Sequence, residues 1–285
     1  MKARHIRFDS WGAARWLVIL FFLLVIFIPL FWMFCMSLKE SYSQYVSPVR
    51  WVPEVPAWNN YVKIWSVVPL GKYFANSMIV ACTTVILCVP VACLAGFTLS
   101  KFRFRGRQTF GLGILCTQFL PGALLLIPLY IVYMNVQRNL GIKMVDTYHG
   151  LFLTYATFGI PFSVWMMRSY FDNISMELME SARVEGCNAL QGFLKIMVPL
   201  AAPGIAATAM YVFVLSWNEV LFASVITGAD VRTYSLGLRD FEQQTTTEYG
   251  LLMAASIVLT VPIVALFLYF QKYIVSGLTG GGVKE

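Results

Sequence analysis

Apolar positions in this chain fall in long unbroken blocks, not in the alternation of a half-buried strand or the narrow stripe of a surface helix. Six blocks carry no charged residue: 16–37, 73–100, 108–137, 147–167, 196–218 and 250–271. A helix rising 1.5 Å per residue needs about 20 mostly apolar residues to cross roughly 30 Å of hydrocarbon. Each block therefore predicts one transmembrane helix, and the predicted fold is an all-α polytopic membrane protein with six spans. The first block is too long and too apolar for the core of a secretory signal, and Phe34-Cys35-Met36-Ser37 offers no small-x-small cleavage site, which predicts a retained anchor.

Composition supports this reading. Of 285 residues 59% are hydrophobic and 12% charged, against roughly a quarter charged in a soluble domain. The formal charge of +7 does not point to nucleic acid, because the basic residues lie between apolar blocks and form no stripe with interleaved aromatics. They set orientation instead. With six spans both termini share a side, and that side collects 13 Lys and Arg against 8 on the other, so both termini are predicted to be cytoplasmic. Lys101-Phe-Arg-Phe-Arg-Gly-Arg107 is the sharpest such signal and reads as a topology determinant at anionic headgroups. Segments from about Lys39 to Lys72 and from about Gly228 to Tyr249 are predicted to be external.

Pro29, Pro90, Pro121, Pro128, Pro161, Pro203 and Pro262 lie in or at the ends of blocks and predict kinked helices packed on one another. Small residues such as Ala92, Ala95 and Gly96, or Ala201, Ala202 and Gly204, permit close helix contact.

The segment between the fourth and fifth blocks, 168–199, is long for a connector and reads as two short helices. Asn173-Ile-Ser175 supplies capping side chains, Glu177 and Glu180 sit at a positive helix start, and Glu180 is spaced to pair with Arg183. The first helix is predicted to reach Gly186, a residue suited to the left-handed conformation that ends a helix and to close approach by a partner. Asn188 with Gln191 resembles a capping box for a second helix running to about Met197 and closed by Pro199. An amphipathic hairpin lying on the membrane is the plainer alternative. Asp172, Glu177, Glu180 and Glu185 against three bases match an anionic lipid surface poorly and a protein groove well.

At these residues the chain resembles a family. Glu177-Leu-Met-Glu-Ser-Ala-Arg-Val-Glu-Gly186, continuing through Phe193-Leu-Lys-Ile-Met-Val-Pro-Leu200 to Pro203, looks like the EAA loop of ABC-importer permeases. Ser37-Leu-Lys39, Asn76-Ser77, Pro128-Leu-Tyr130, Trp217-Asn-Glu219 and the tail from Gly277 to Lys284 suggest the carbohydrate-uptake branch, most like the smaller permease of the maltose-type, glycerol-phosphate and multiple-sugar transporters. The sequence departs from the family pattern at Ser175, Ser181, Glu185 and Cys187, none of which removes charge or adds bulk. The resemblance implies a type I importer transmembrane domain with a second permease subunit, two ATPase subunits and an extracytoplasmic solute-binding protein as partners. It implies that Glu177, Glu180, Ser181, Ala182, Arg183, Glu185, Gly186, Phe193 and Pro199 couple to the ATPase, and that Trp217, Asn218 and Glu219 lie on the substrate pathway or its gate. By the same resemblance Gln243, Gln244, Thr245 and Thr246 touch the binding protein. The corresponding organisation is an N-terminal segment with first helix and periplasmic stretch at 1–72, a permease core at 73–271 with the EAA loop at 172–199, and a cytoplasmic tail at 272–285.

The motor belongs elsewhere. No G-x-x-x-x-G-K-[ST] loop is present, and Pro69-Leu-Gly-Lys72 lacks the glycine spacing that cradles phosphates, so ATP and magnesium are expected on the partner ATPase and no cofactor on this chain. No H-E-x-x-H, G-x-S-x-G or paired catalytic carboxylates appear, which argues against an enzyme. His5 and His149 lack acidic or thiol partners at ligand spacing, and Cys35, Cys82, Cys88, Cys93, Cys116 and Cys187 include no C-x-x-C pair, so neither metal nor disulfide is predicted. The competing class is an ion-coupled secondary transporter, which needs ionisable residues deep in its helices. Glu219 is the single candidate, and its place at the end of the fifth block suits a gate or helix end better than a proton relay. Asn218 and Trp217 can in principle meet sugar by hydrogen bonding and stacking, or serve as plain interfacial anchors.

Overall fold

The computed structural model describes residues 10–40, 48, 50–241 and 248–280. Among these residues all regular structure is helical: α1 (Ser10–Ser37), α2 (Asn60–Val67), α3 (Leu70–Lys101), α4 (Arg107–Cys116), α5 (Gly122–Leu140), α6 (Tyr148–Asp172), α7 (Glu177–Val184), α8 (Ala189–Gly192), α9 (Val198–Leu200), α10 (Ala202–Asn218), α11 (Leu221–Ile226), α12 (Tyr234–Gly237) and α13 (Tyr249–Gly280). Short 3₁₀ turns cover Thr117–Phe119 and Leu238–Phe241, and Phe193–Met197 forms a π-helical turn between α8 and α9. Helices satisfy their own backbone groups, which is what an apolar solvent demands.

Four helices, α1, α3, α6 and α13, are long and apolar enough to cross a membrane unbroken. The third and fifth apolar blocks, predicted as single helices, are each broken. Arg107–Phe119 meets Gly122–Leu140 at 97°, and Ala189–Leu200 meets Ala202–Asn218 at 76°, so the count is six only if each bent pair is one span. A proline stands at or just after each break. Pro121 has no N–H to continue the helix, and Leu120 before it is extended at ψ 119. At the other break Ala201 leaves helical geometry at ψ 5, and Pro203 stands in the first turn of α10, where a missing donor costs little.

The chain divides into two compact units, Met1–Val68 with Asp240–Val258, and Pro69–Arg239 with Leu259–Glu285. In the first, α1 presents exposed apolar side chains from Trp16 to Ile28, as a lipid-facing helix does. Its last turn is tied down: Asn60 Nδ2 donates to the carbonyls of Ser37 (2.8 Å) and Lys39 (2.9 Å), and Ser37 Oγ meets Tyr61 Oη at 2.8 Å. In the second unit α3, α6 and α10 pack together. A side chain at Gly96 on α3 would stand 2.7 Å from the Arg168 backbone nitrogen on α6, so the two helices approach as closely as they do only because this position is bare. An apolar cluster forms at each end of α6, one around Phe97, Phe171, Phe193 and Met197, the other around Tyr133, Leu151, Tyr155 and Phe222.

Candidate functional site

The segment after α6 is built from local capping and then seated by apolar side chains. Ser175 Oγ accepts from the Glu177 N–H at 3.2 Å, starting α7, whose first turn holds Glu177 and Glu180. Asn173, predicted to cap the same start, instead closes α6, its Nδ2 donating to the Ser169 carbonyl at 2.9 Å. Helix α7 ends at Val184, two residues short of the predicted Gly186. Gly186 lies beyond it at φ +90, its N–H donating to Arg183 O (3.0 Å) while Cys187 N–H reaches Ala182 O (2.9 Å). This is the paired-bond helix stop that favours glycine. Nothing stands within 4 Å of where a Gly186 side chain would begin, so that face is bare. Asn188 and Gln191 form the full capping box, with bonds of 2.8 and 3.0 Å.

Two expectations fail here. Pro199 does not close the second helix: the backbone stays helical to Leu200, because a π turn in which Val198 N–H bonds Phe193 O carries it past the proline's missing donor. No ion pair joins Glu180 to Arg183, and both side chains are exposed. Among the described residues the single ion pair near this segment is Arg168–Asp172 at 3.8 Å.

Four apolar side chains fasten the pair to the bundle. Met179 and Ala182 of α7 and Phe193 and Met197 of the π turn are buried, and the Phe193 ring lies 4.9 Å from Phe97 of α3 and 6.2 Å from Phe171 of α6. Polar ties add to this: Lys101 Nζ donates to Ile174 O and Ser100 Oγ to Asp172 Oδ1, both at 2.6 Å. Glu177, Glu180, Ser181, Arg183, Glu185 and Pro199 remain exposed, beside Leu178, Leu190 and Val184, the last 90% exposed. The structure thus gathers the predicted coupling residues into one element with a buried apolar side and an open face of mixed charge and aliphatics.

At the other end of α6, the three predicted pathway residues have different surroundings. The Trp217 ring is 1% exposed, stacked on Phe213 at 5.4 Å, with its Nε1–H donating to Leu259 O at 3.1 Å. It is a core anchor in this conformation, and stacking on a sugar is closed to it. Asn218 is exposed. Glu219 accepts from the N–H groups of Phe222 (2.9 Å) and Ala223 (3.0 Å), capping α11. Gln243, Gln244, Thr245 and Thr246 lie outside the described residues. Sequence reasoning missed Asp146, Asn76 and Ser77 as organisers of the 227–234 segment. Asn76 Nδ2 donates to the carbonyls of Asp230 (3.2 Å) and Arg232 (2.9 Å), and Ser77 Oγ accepts from Tyr234 N–H at 2.8 Å. No metal-binding cluster occurs among the described residues.

Residues 88–280 match the family described as binding-protein-dependent transport system inner membrane component. The chain is 34% identical to the probable ABC transporter permease protein YurM of Bacillus subtilis, over 94% of this chain and 87% of that one. It is 31% identical to the trehalose transport system permease protein SugB of Mycobacterium tuberculosis, over 98% of each. Among solved structures, a chain of a bacterial ABC transporter that imports the acidic polysaccharide alginate shares the fold, with a TM-score of 0.72 and 24% identity over 96% of this chain and 99% of that one.

Proposed function

Because this chain belongs to the family of inner membrane components of binding-protein-dependent transport systems, we propose that it is one permease subunit of an ATP-driven importer for a sugar or sugar-like solute. The observation that carries this is the α7–α8 pair: an element seated by Met179, Phe193 and Met197 on the ends of α3 and α6, with an open face of mixed charge and aliphatics. The secondary-transporter alternative loses its footing, since Glu219 is spent on capping α11.

In this reading the open face docks a separate ATPase that binds ATP and magnesium, and the protein sits in the cytoplasmic membrane with both termini and 101–107 in the cytoplasm. A second permease completes the pathway, and a solute-binding protein delivers solute from outside, touching 243–246. Force from ATPase closure passes from α7 and α8 through the π turn and the 76° bend into α10, turning the bundle between two accessible states. Sugar as the solute is supported by the trehalose system of the 31% identical relative and by the alginate importer of like fold.

Expression of the tagged chain with the ATPase, second permease and binding protein encoded beside it should yield one copurifying complex, with ATP-dependent uptake of labelled trehalose, maltose or an alginate oligosaccharide into vesicles. Uptake that persists without ATP and collapses with an ionophore would defeat the proposal.

A further inference from the structure

Helix α11 is held at both ends by acids from different parts of the second unit. Glu219 caps its start. Beyond its end stands Asp146, in the turn between α5 and α6. Asp146 N–H donates to the carbonyl of Ile226, the last residue of α11, at 2.8 Å. Its carboxylate then turns to the chain that follows: Oδ1 accepts from Gly228 N–H (2.8 Å) and Val231 N–H (3.1 Å), and Oδ2 from Asp230 N–H (3.3 Å). One residue thus binds four backbone groups within 226–231, across 80 to 85 positions of sequence.

The backbone shows that this arrangement is demanded. Asp146 is the single non-glycine residue at positive φ among the described residues, at φ 54. Asparagine and aspartate tolerate that region better than other side chains, but it is still unfavourable, and the bonds it makes offset the strain. The next residue, Thr147, is back in extended geometry and caps α6 through Gly150 N–H at 3.2 Å. The left-handed step at 146 therefore lets one short turn start α6 and grip the 226–231 segment together. On its inner side α11 buries Phe222, Ala223 and Ile226, while Ala229 and Asp230 face outward and exposed.

We infer that Asp146 is a positioning residue for solute delivery: it presents the exposed 228–230 turn in a fixed shape, so that docking of the solute-binding protein there moves α11 as a rigid piece. The inference rests on the importer reading above. A turn fixed by charge-assisted bonds transmits a push, whereas a loose one absorbs it. Asp146 acts through the turn and touches neither solute nor ATPase.

The test uses the assembled transporter and two readouts. Hydrogen exchange over 226–232 measures the grip directly, and the binding-protein concentration giving half-maximal ATPase stimulation measures the coupling. Asp146→Gly removes the carboxylate while suiting the positive φ; Asp146→Asn keeps one acceptor oxygen and serves if the glycine variant assembles poorly. With Asp146→Gly, exchange at 228–231 should rise and the half-maximal concentration should increase roughly tenfold, the ordinary range of a coupling between sites. Basal ATPase activity and copurification should hold, and Asp146→Asn should fall between. Unchanged exchange would overturn the grip; faster exchange with unchanged stimulation would overturn the role in delivery. Equal losses of assembly and basal activity in both variants would reduce Asp146 to a folding residue. A wild-type complex that no neighbouring binding protein stimulates would instead sink the importer reading, with exchange at 226–232 still reporting the grip.

Discussion

After α6, the 173–200 segment is anchored by side chains that fill space, Phe193 between Phe97 and Phe171 and Met197 wholly buried beneath. At the start of α6, the 226–234 segment is anchored by a few polar atoms, Asp146 and Ser77 reaching its amides and Asn76 its carbonyls. The first attachment is non-directional and graded, so it tolerates a tilt of the helix pair. The second is directional, and a hydrogen bond weakens steeply once its geometry is lost. One end of α6 therefore carries an attachment whose strength changes gradually with tilt, and the other a catch whose bonds are lost abruptly.

The sharpest way to break the comparison is to empty the apolar seat. Phe193→Ala should cost about 3–5 kcal/mol at the segment, as large-to-small changes in packed cores do. We expect the helix pair to detach, with ATPase copurification and uptake both lost at normal membrane levels of the protein. Retention of ATPase binding would show that the polar ties from Lys101 and Ser100 suffice.

A smaller effect comes from the bare turn. Gly186→Val places a β-branched side chain at φ +90, costing about 1–3 kcal/mol. Because nothing within the chain occupies that space, Gly186→Asn should restore much of the backbone stability yet still intrude on a docked surface. If Asn behaves as wild type in uptake, the glycine serves the backbone alone. Glu180→Lys should be milder than either, since it reverses one exposed charge and breaks no ion pair.

These differences also explain what could be read from sequence. The capping box of Asn188 and Gln191 and the glycine stop depend on residues three to five positions apart, so their pattern is local and legible. The six apolar blocks were legible for the same reason. The breaks at Leu120–Pro121 and Ala201 were not, because a proline in an apolar block can kink a helix, start one or end one, and its neighbours in space decide which. Trp217 reads as an interfacial anchor or sugar platform until its packing on Phe213 is seen. Asp146 was invisible because its partners lie 82 to 85 positions away and are backbone amides, which carry no residue signature.

The smallest expected effect separates charge from shape at the catch. Burial pushes the Asp146 carboxyl up, but the amides of Gly228, Val231 and Asp230, with the Lys143 charge, outweigh it and hold the group below its ordinary 3.8. A depressed folded value means that the stabilisation is complete above 3.8 and is lost only as pH falls through the lowered value. Its charged neighbour is Lys143, while Asp230 reaches it through its backbone amide and turns its carboxylate to Lys72 at 4.0 Å. Exchange at 228–231, corrected for the intrinsic pH dependence of amides, should therefore be flat between about pH 5 and 8. A slope across that window would move control of the catch away from the Asp146 carboxylate. A flat profile that Asp146→Asn nonetheless shifts upward at every pH would show that the second carboxylate oxygen with its charge, and not the side-chain shape alone, holds the 228–231 turn.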